Sequence, residues 1–174
     1  MSSSESKDAT ESSESGKSTD SSYMSFRSAG ELRSSGREIT PAKILIIDDE
    51  LINILFLTQA LQKLNYASDY ETDGEAAINR VAARITSVKM GKSSDYSLVL
   101  IDYNMPQMMG TEVATEIYKL YREARLEAPK IYCCTSEEGE DFDRAIRESG
   151  MLGSLQKPIQ NDELKKFLER EIPG

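Results

Sequence analysis

The sequence predicts an α/β fold, a five-stranded parallel sheet that is doubly wound, with helices on both faces. Three observations carry that expectation. From Pro41 onward, apolar runs of about four residues alternate with longer amphipathic segments, the pattern of repeated βα units. Five such units can be counted along the chain. The strongest runs are apolar at successive positions, as strands covered on both faces must be. Right-handed crossovers then distribute the helices over the two faces of one open sheet.

The elements follow in order. Ile44 to Ile47 is a continuous apolar run suited to a buried strand, and Ile54, Leu57, Leu61 and Leu64 then fall at helical spacing. A weak second strand is expected near residues 67–70. It leads to Gly74 and a helix through Ala77, Ile78 and Val81, which ends in the polar stretch 89–95. Leu98 to Ile101 is the third strand, followed after a turn by a helix carrying Val113, Ile117, Leu120 and Ala124. Ile131 to Cys134 is the fourth, with Phe142, Ala145 and Ile146 marking its helix. Ser154 to Gln156 is a short fifth strand, and Leu164, Phe167 and Leu168 place the last helix.

Composition bounds what this chain does. Its 174 residues, 39% hydrophobic, make about one domain and one core. Residues 1–40 hold 14 serines, 7 acids and 5 bases with few large apolar groups, so they are expected to be a disordered Ser-rich tail beside a domain over 41–174. Gly16-Lys17-Ser18 imitates the end of a phosphate-binding loop, but Glu11 stands where its first glycine belongs and no apolar strand precedes it. Arg27, Arg33 and Arg37 among serines suit kinase targets or a docking segment, although a solvated linker is the default reading.

The absence of histidine removes Ser-His and Cys-His catalysis, histidine metal sites and a phosphohistidine carrier role for this chain. A net charge of −9 and a pI near 4.7 leave no basic footprint for direct nucleic-acid binding. Cys133 and Cys134 are adjacent, and on a strand they point to opposite faces, so they read as buried thiols in a reducing compartment. The first twenty residues carry no apolar signal core, and no apolar run is long enough to span a bilayer. A soluble, cytoplasmic chain is the expectation.

The chemistry gathers at the carboxyl ends of the strands, where open α/β sheets bind ligands. The first strand delivers Asp48 and Asp49, the third Asp102, the fourth Thr135, and the fifth Lys157 before Pro158. Singly, an Asp there reads as a helix cap, a Thr as a turn former and Lys-Pro as a loop. Together they describe a pocket. Three carboxylates repel one another, so a hard cation with oxygen ligands is their natural partner, and a site that keeps several waters suits Mg²⁺. Lys157 and Thr135 add a charge and a donor suited to a phosphoryl group, and Asp102 is placed to act as nucleophile toward phosphorus.

Asp48-Asp49, the turn Asp102-Tyr103-Asn104-Met105-Pro106 with Gly110, Thr135-Ser136 and Lys157-Pro158 together resemble the receiver domain of two-component response regulators, over about residues 42–172. That resemblance implies a CheY-like, flavodoxin-like sheet of strand order 2-1-3-4-5. It also implies that Asp102 takes a phosphoryl group from a partner's phosphohistidine, and that Asp48, Asp49 and Asp102 hold Mg²⁺ with the backbone carbonyl of Asn104. Thr135 would contact the phosphoryl group and Lys157 would pair with it. Asn104 and Glu137 match positions that line the pocket and tune dephosphorylation, whereas Met105-Pro106 and Asn53 match positions with core or turn roles. A cis bond before Pro158 is common in the family.

Two departures stand out. Ser154 occupies the position, three before the lysine, where receivers often carry Tyr or Phe, so the usual coupling of an aromatic rotamer to the threonine is in question. Met109 replaces an acid often found before Gly110. The stretch 88–95 is longer than in compact receivers, and the excess is expected in a surface loop.

The function implied is a phosphorelay switch in which phosphorylation of Asp102 draws in Thr135 and shifts an existing equilibrium on the face of the fourth and fifth units. The donor would be a histidine kinase or histidine phosphotransfer protein and the output a protein effector. The chain catalyses only its own phosphotransfer and dephosphorylation. With no room for a second folded domain, a stand-alone receiver or one separated from a hybrid histidine kinase is expected. Two alternatives are a receiver-like interaction module that is never phosphorylated and an Asp-nucleophile phosphatase. The latter usually needs an acid two residues after the nucleophile, where this chain has Asn104.

Overall fold

The computed structural model describes residues 43–172, so the reading of residues 1–40 as a tail lies outside the described residues. Ten elements alternate strictly: β1 (Ile44–Ile47), α1 (Leu51–Lys63), β2 (Ser68–Glu71), α2 (Gly74–Lys89), β3 (Leu98–Asp102), α3 (Gly110–Ala124), β4 (Lys130–Thr135), α4 (Glu140–Glu148), β5 (Ser154–Gln156) and α5 (Asn161–Glu171). The strands pair in parallel in the order β2-β1-β3-β4-β5, as the sequence implied.

Alternate strand residues feed two separate cores, because successive side chains of a strand point to opposite faces. Leu45, Ile47, Val99, Ile101, Ile131 and Cys133 pack against α2, α3 and α4. Ile44, Ile46, Leu98, Leu100, Tyr132 and Cys134 pack against α1 and α5. This explains the unbroken apolar runs of the three central strands, whose residues are nearly all buried. Burying each Leu or Ile of these runs stabilises the fold by about 1.5–3 kcal/mol. The adjacent thiols serve different faces, as expected, and both are free.

The edge strands explain the weak signals. β2 reads Ser-Asp-Tyr-Glu with every residue half-buried, and β5 reads Ser-Leu-Gln with only Leu155 buried. An edge strand has one neighbour and needs no continuous apolar run. β2 begins one residue later than the sequence placed it.

The long polar stretch after α2 forms the expected surface loop, with Met90, Gly91, Lys92 and Ser94 exposed. The helix runs through Val88 to Lys89, taking part of the excess into its last turn. The following segment turns at Gly91, whose φ of 66° suits glycine, and is tied down by side chains. Arg84 Nη1 donates to the Ser94 carbonyl at 3.1 Å, and the Tyr121 hydroxyl donates to Asp95. It is therefore an anchored surface loop.

One glycine positions the site. A Cβ on Gly110 would lie 2.2 Å from the Asp102 carbonyl oxygen, so α3 starts directly against the end of β3. The Gly110 N–H donates to the Tyr103 carbonyl at 2.9 Å and closes that turn. Met105 is buried in the core beneath it, as read from the sequence.

Candidate functional site

The carboxyl edge of the sheet assembles the polar residues by register. Ile47 lies opposite Ile101, so the next residues of the two strands, Asp48 and Asp102, come side by side. Both are buried, at 4% and 9% exposure. Lys157 follows β5, its N–H donating to the Thr135 carbonyl at 2.8 Å, and the bond to Pro158 is cis. Its ammonium donates to Asp48 Oδ2 at 2.6 Å and to Asp102 Oδ1 at 2.5 Å.

These three groups share one electrostatic balance. Burial raises the pKa of Asp102; the Lys157 hydrogen bond and charge oppose that, and Asp48 and Asp49 add to it, for a net rise. Burial alone would lower the pKa of Lys157, but the hydrogen bonds it donates to Asp102 and Asp48 reverse this and hold it above the usual lysine value. The ammonium is thus charged across the neutral range. Among the described residues, Asp102 Oδ2 accepts no hydrogen bond.

The remaining residues are less tightly gathered than the sequence suggested. Asp49 is exposed and makes no hydrogen bond among the described residues, and no cluster of three acids close enough to hold a metal by itself is present there. The Lys157 ammonium stands between the two buried carboxylates. The donor chemistry still fits a hard cation: every anionic group at this edge is a carboxylate, and two of them, Asp48 and Asp102, are buried side by side. Thr135 is buried and accepts the Glu137 N–H at its Oγ1 at 3.0 Å, which leaves the hydroxyl proton free to donate. Asn104 Nδ2 donates to Glu137 Oε1 at 3.2 Å, so the turn after β3 and the turn after β4 meet through these two exposed residues.

Two features were not read from the sequence. Asn53, assigned there a core or turn role, donates to both oxygens of Asp48 and to Glu50. Its place in the first turn of a helix starting just after the acidic pair was the available signal. Tyr103 stacks edge-to-face on Phe142 of α4 with ring centroids 4.9 Å apart, linking the residue after Asp102 to a helix. Ser154 is exposed on β5, where it lies opposite Cys133.

Beside the acids, a cleft of about 660 Å³ opens between α1 and α5, lined by Leu57, Leu100, Cys134, Ile159 and Leu164 and reaching Asp48 and Lys157. On α1 next to it, Leu51, Ile52 and Phe56 are 64%, 52% and 66% exposed. No helix among the described residues is long and apolar enough to cross a membrane.

Comparison with known proteins agrees with this architecture. The chain is 27% identical over 132 residues to Histidine protein kinase 1 of Candida albicans, covering 75% of this chain and 5% of the kinase. The chain thus spans about one twentieth of that relative's length. Among solved structures, it resembles the receiver domain of the Pseudomonas aeruginosa sensor histidine kinase PA1611, solved with a magnesium ion coordinated in the active site cleft. That match has a TM-score of 0.61 at 23% identity over 75% of this chain and 97% of that one. It also resembles the co-crystal structure of the Saccharomyces cerevisiae histidine phosphotransfer signaling protein Ypd1 with the receiver domain of its downstream response regulator Ssk1. There the TM-score is 0.60 at 22% identity, covering 77% and 91% of the two chains. The family model of the response regulator receiver domain matches residues 44–169, a span that runs from the first strand to the last helix and takes in every acid described above. With the strand order, the buried acid pair and the lysine that bridges it, this match establishes that the chain belongs to the response regulator receiver family.

Proposed function

We propose that this chain is a phosphoacceptor switch in which the Asp102 carboxylate takes a phosphoryl group from the phosphohistidine of a histidine kinase or histidine phosphotransfer protein. One observation carries the reading: Asp102 is buried at the end of β3 with Oδ1 held by Lys157 and Oδ2 without a hydrogen bond among the described residues. The held oxygen fixes the carboxylate plane and the other is left to attack. In the transfer, an oxygen of Asp102 forms a bond to phosphorus while the phosphorus–nitrogen bond of the donor breaks and the imidazole leaves. Lys157 sits where it pairs with the charge that the arriving group brings.

Asp48, Asp49 and Asp102, with the Asn104 backbone carbonyl, are the oxygen donors that would hold Mg²⁺. Bound there, the ion supplies Lewis-acid stabilisation of phosphoryl charge. The free proton of the Thr135 hydroxyl suits donation to a phosphoryl oxygen. That contact would strain its bond to Glu137 N–H and bias the β4–α4 connection toward a second arrangement, altering the face that α4 and β5 offer to a protein effector. The exposed apolar trio of α1, beside the acids, suits docking of a protein donor. Residues 41–174 form the receiver in this reading and residues 1–40 a tail. The free thiols fit a reducing, cytoplasmic setting, and catalysis is confined to the chain's own phosphotransfer and dephosphorylation.

Intact mass after incubation with a small phosphodonor and Mg²⁺ tests the reading. The native chain should gain one labile phosphoryl group and Asp102→Asn none. A native chain that gains nothing refutes the switch and favours a module that is never phosphorylated.

A further inference from the structure

Asp48 is the most heavily bonded acid of the site. Its Oδ1 accepts from the Glu50 backbone N–H at 2.9 Å, and its Oδ2 accepts from Lys157 Nζ at 2.6 Å. Asn53 Nδ2 lies 3.1 and 3.2 Å from the two oxygens and 2.8 Å from Glu50 Oε2. A side-chain amide has two hydrogens, so one spans the Asp48 carboxylate and the other reaches Glu50. Turned over, the amide would set its oxygen against two carboxylates, which fixes the donor assignment from its neighbours.

Neither helix propensity nor packing accounts for asparagine here. It is a middling helix former, and it stands at the edge of the cleft while the core contacts of this helix come from Ile54 and Leu61. Its distinguishing property is a donor without charge. A lysine at this position would orient Asp48 equally well but would cancel the charge that a cation needs. An amide orients the carboxylate and leaves the charge in place, and Glu50 pins the amide from the other side.

We propose that Asn53 is a positioning residue for the cation site, holding the Asp48 carboxylate in the orientation in which it binds a divalent metal. This rests on the cation site proposed above. Partners that orient a metal-ligating group from behind typically change metal affinity by about 10- to 100-fold when removed.

The test is calorimetric titration of the full 174-residue chain with Mg²⁺ alone, for the native protein, Asn53→Ala, Asn53→Leu and Asp48→Asn, with thermal unfolding of each in chelator. Leucine keeps the branching at Cγ and the number of side-chain heavy atoms and is a good helix former, so it separates the donor from the shape. Both Asn53 variants should bind about 10-fold more weakly, with Asn53→Leu unfolding in chelator at the native temperature. Native affinity in both variants overturns the proposal, and weakened binding by Asp48→Asn in that same experiment would leave the cation site standing. Native affinity in Asp48→Asn as well, or no binding by the native chain, would bring down the cation site itself and the proposal with it. An affinity loss that appears only alongside an equal loss of metal-free stability would mark a structural role and also overturn it.

Discussion

Gly110→Ala tests how tightly the start of α3 fixes the phosphoacceptor. The added Cβ would stand 2.2 Å from the Asp102 carbonyl oxygen, against a floor of 3.0 Å for real Cβ contacts, so about 0.8 Å of movement is required. The opposing atom is backbone, and the next contacts, Asp102 C and Ile101 Cγ2 at 3.1 Å, are equally hemmed in. Helix or strand must shift as a whole. Forcing a methyl into a filled site of this kind costs about 1–3 kcal/mol, more than the fraction of a kcal/mol that alanine regains in helix propensity at a first-turn position. The functional effect should be larger, since misplacing a reacting group by about 1 Å lowers rate by up to about 100-fold. Urea unfolding measures the first quantity, and the initial rate of phosphorylation by a small phosphodonor measures the second. Native stability together with a native rate would refute the claim that this contact positions Asp102.

Three further outcomes are expected. Because the folded-state pKa of Asp102 is raised, its ionisation disfavours the native state above the ordinary carboxylate pKa. Asp102→Asn should therefore be at least as stable as the native chain at pH 7, with the gap closing as pH falls through that value; urea midpoints at several pH values that show the opposite trend would contradict the balance described. Cys133, whose pKa burial pushes up to about 12, and Cys134, also buried and also raised, should not react with a chromogenic thiol reagent in the native state and should both react in denaturant. Phe56→Asp, on the exposed face of α1, should slow phosphorylation by a phosphorylated histidine phosphotransfer protein while leaving phosphorylation by a small phosphodonor unchanged, and equal effects on both donors would remove α1 from the docking surface.

What the sequence made legible follows from where the physics is local. Strands buried on both faces announce themselves as unbroken apolar runs, so β1, β3 and β4 and the residues at their ends were placed correctly. Edge strands carry half that signal, and β2 slipped by one residue. The acids, threonine and lysine were readable because each directly follows a strand. Their pairing was not, since the distance from Lys157 to Asp48 and Asp102 depends on how the strands are ordered. Asn53 was underread because a lone amide in a helix's first turn looks like a cap until the carboxylates around it are seen. The polar stretch after α2 is legible as a surface loop from its low apolar content, but the side chains that anchor it, Arg84 and Tyr121, are not.

The central claim is that Asp102 itself carries the phosphoryl group. Borohydride reduction of the freshly phosphorylated chain, followed by peptide mapping, reads this directly, because an aspartyl phosphate is reduced to homoserine at the modified position. Homoserine at position 102 and nowhere else is the predicted result. Reduction at Asp48 or Asp49, or a borohydride-resistant phosphate on a serine of the first 40 residues, would contradict it.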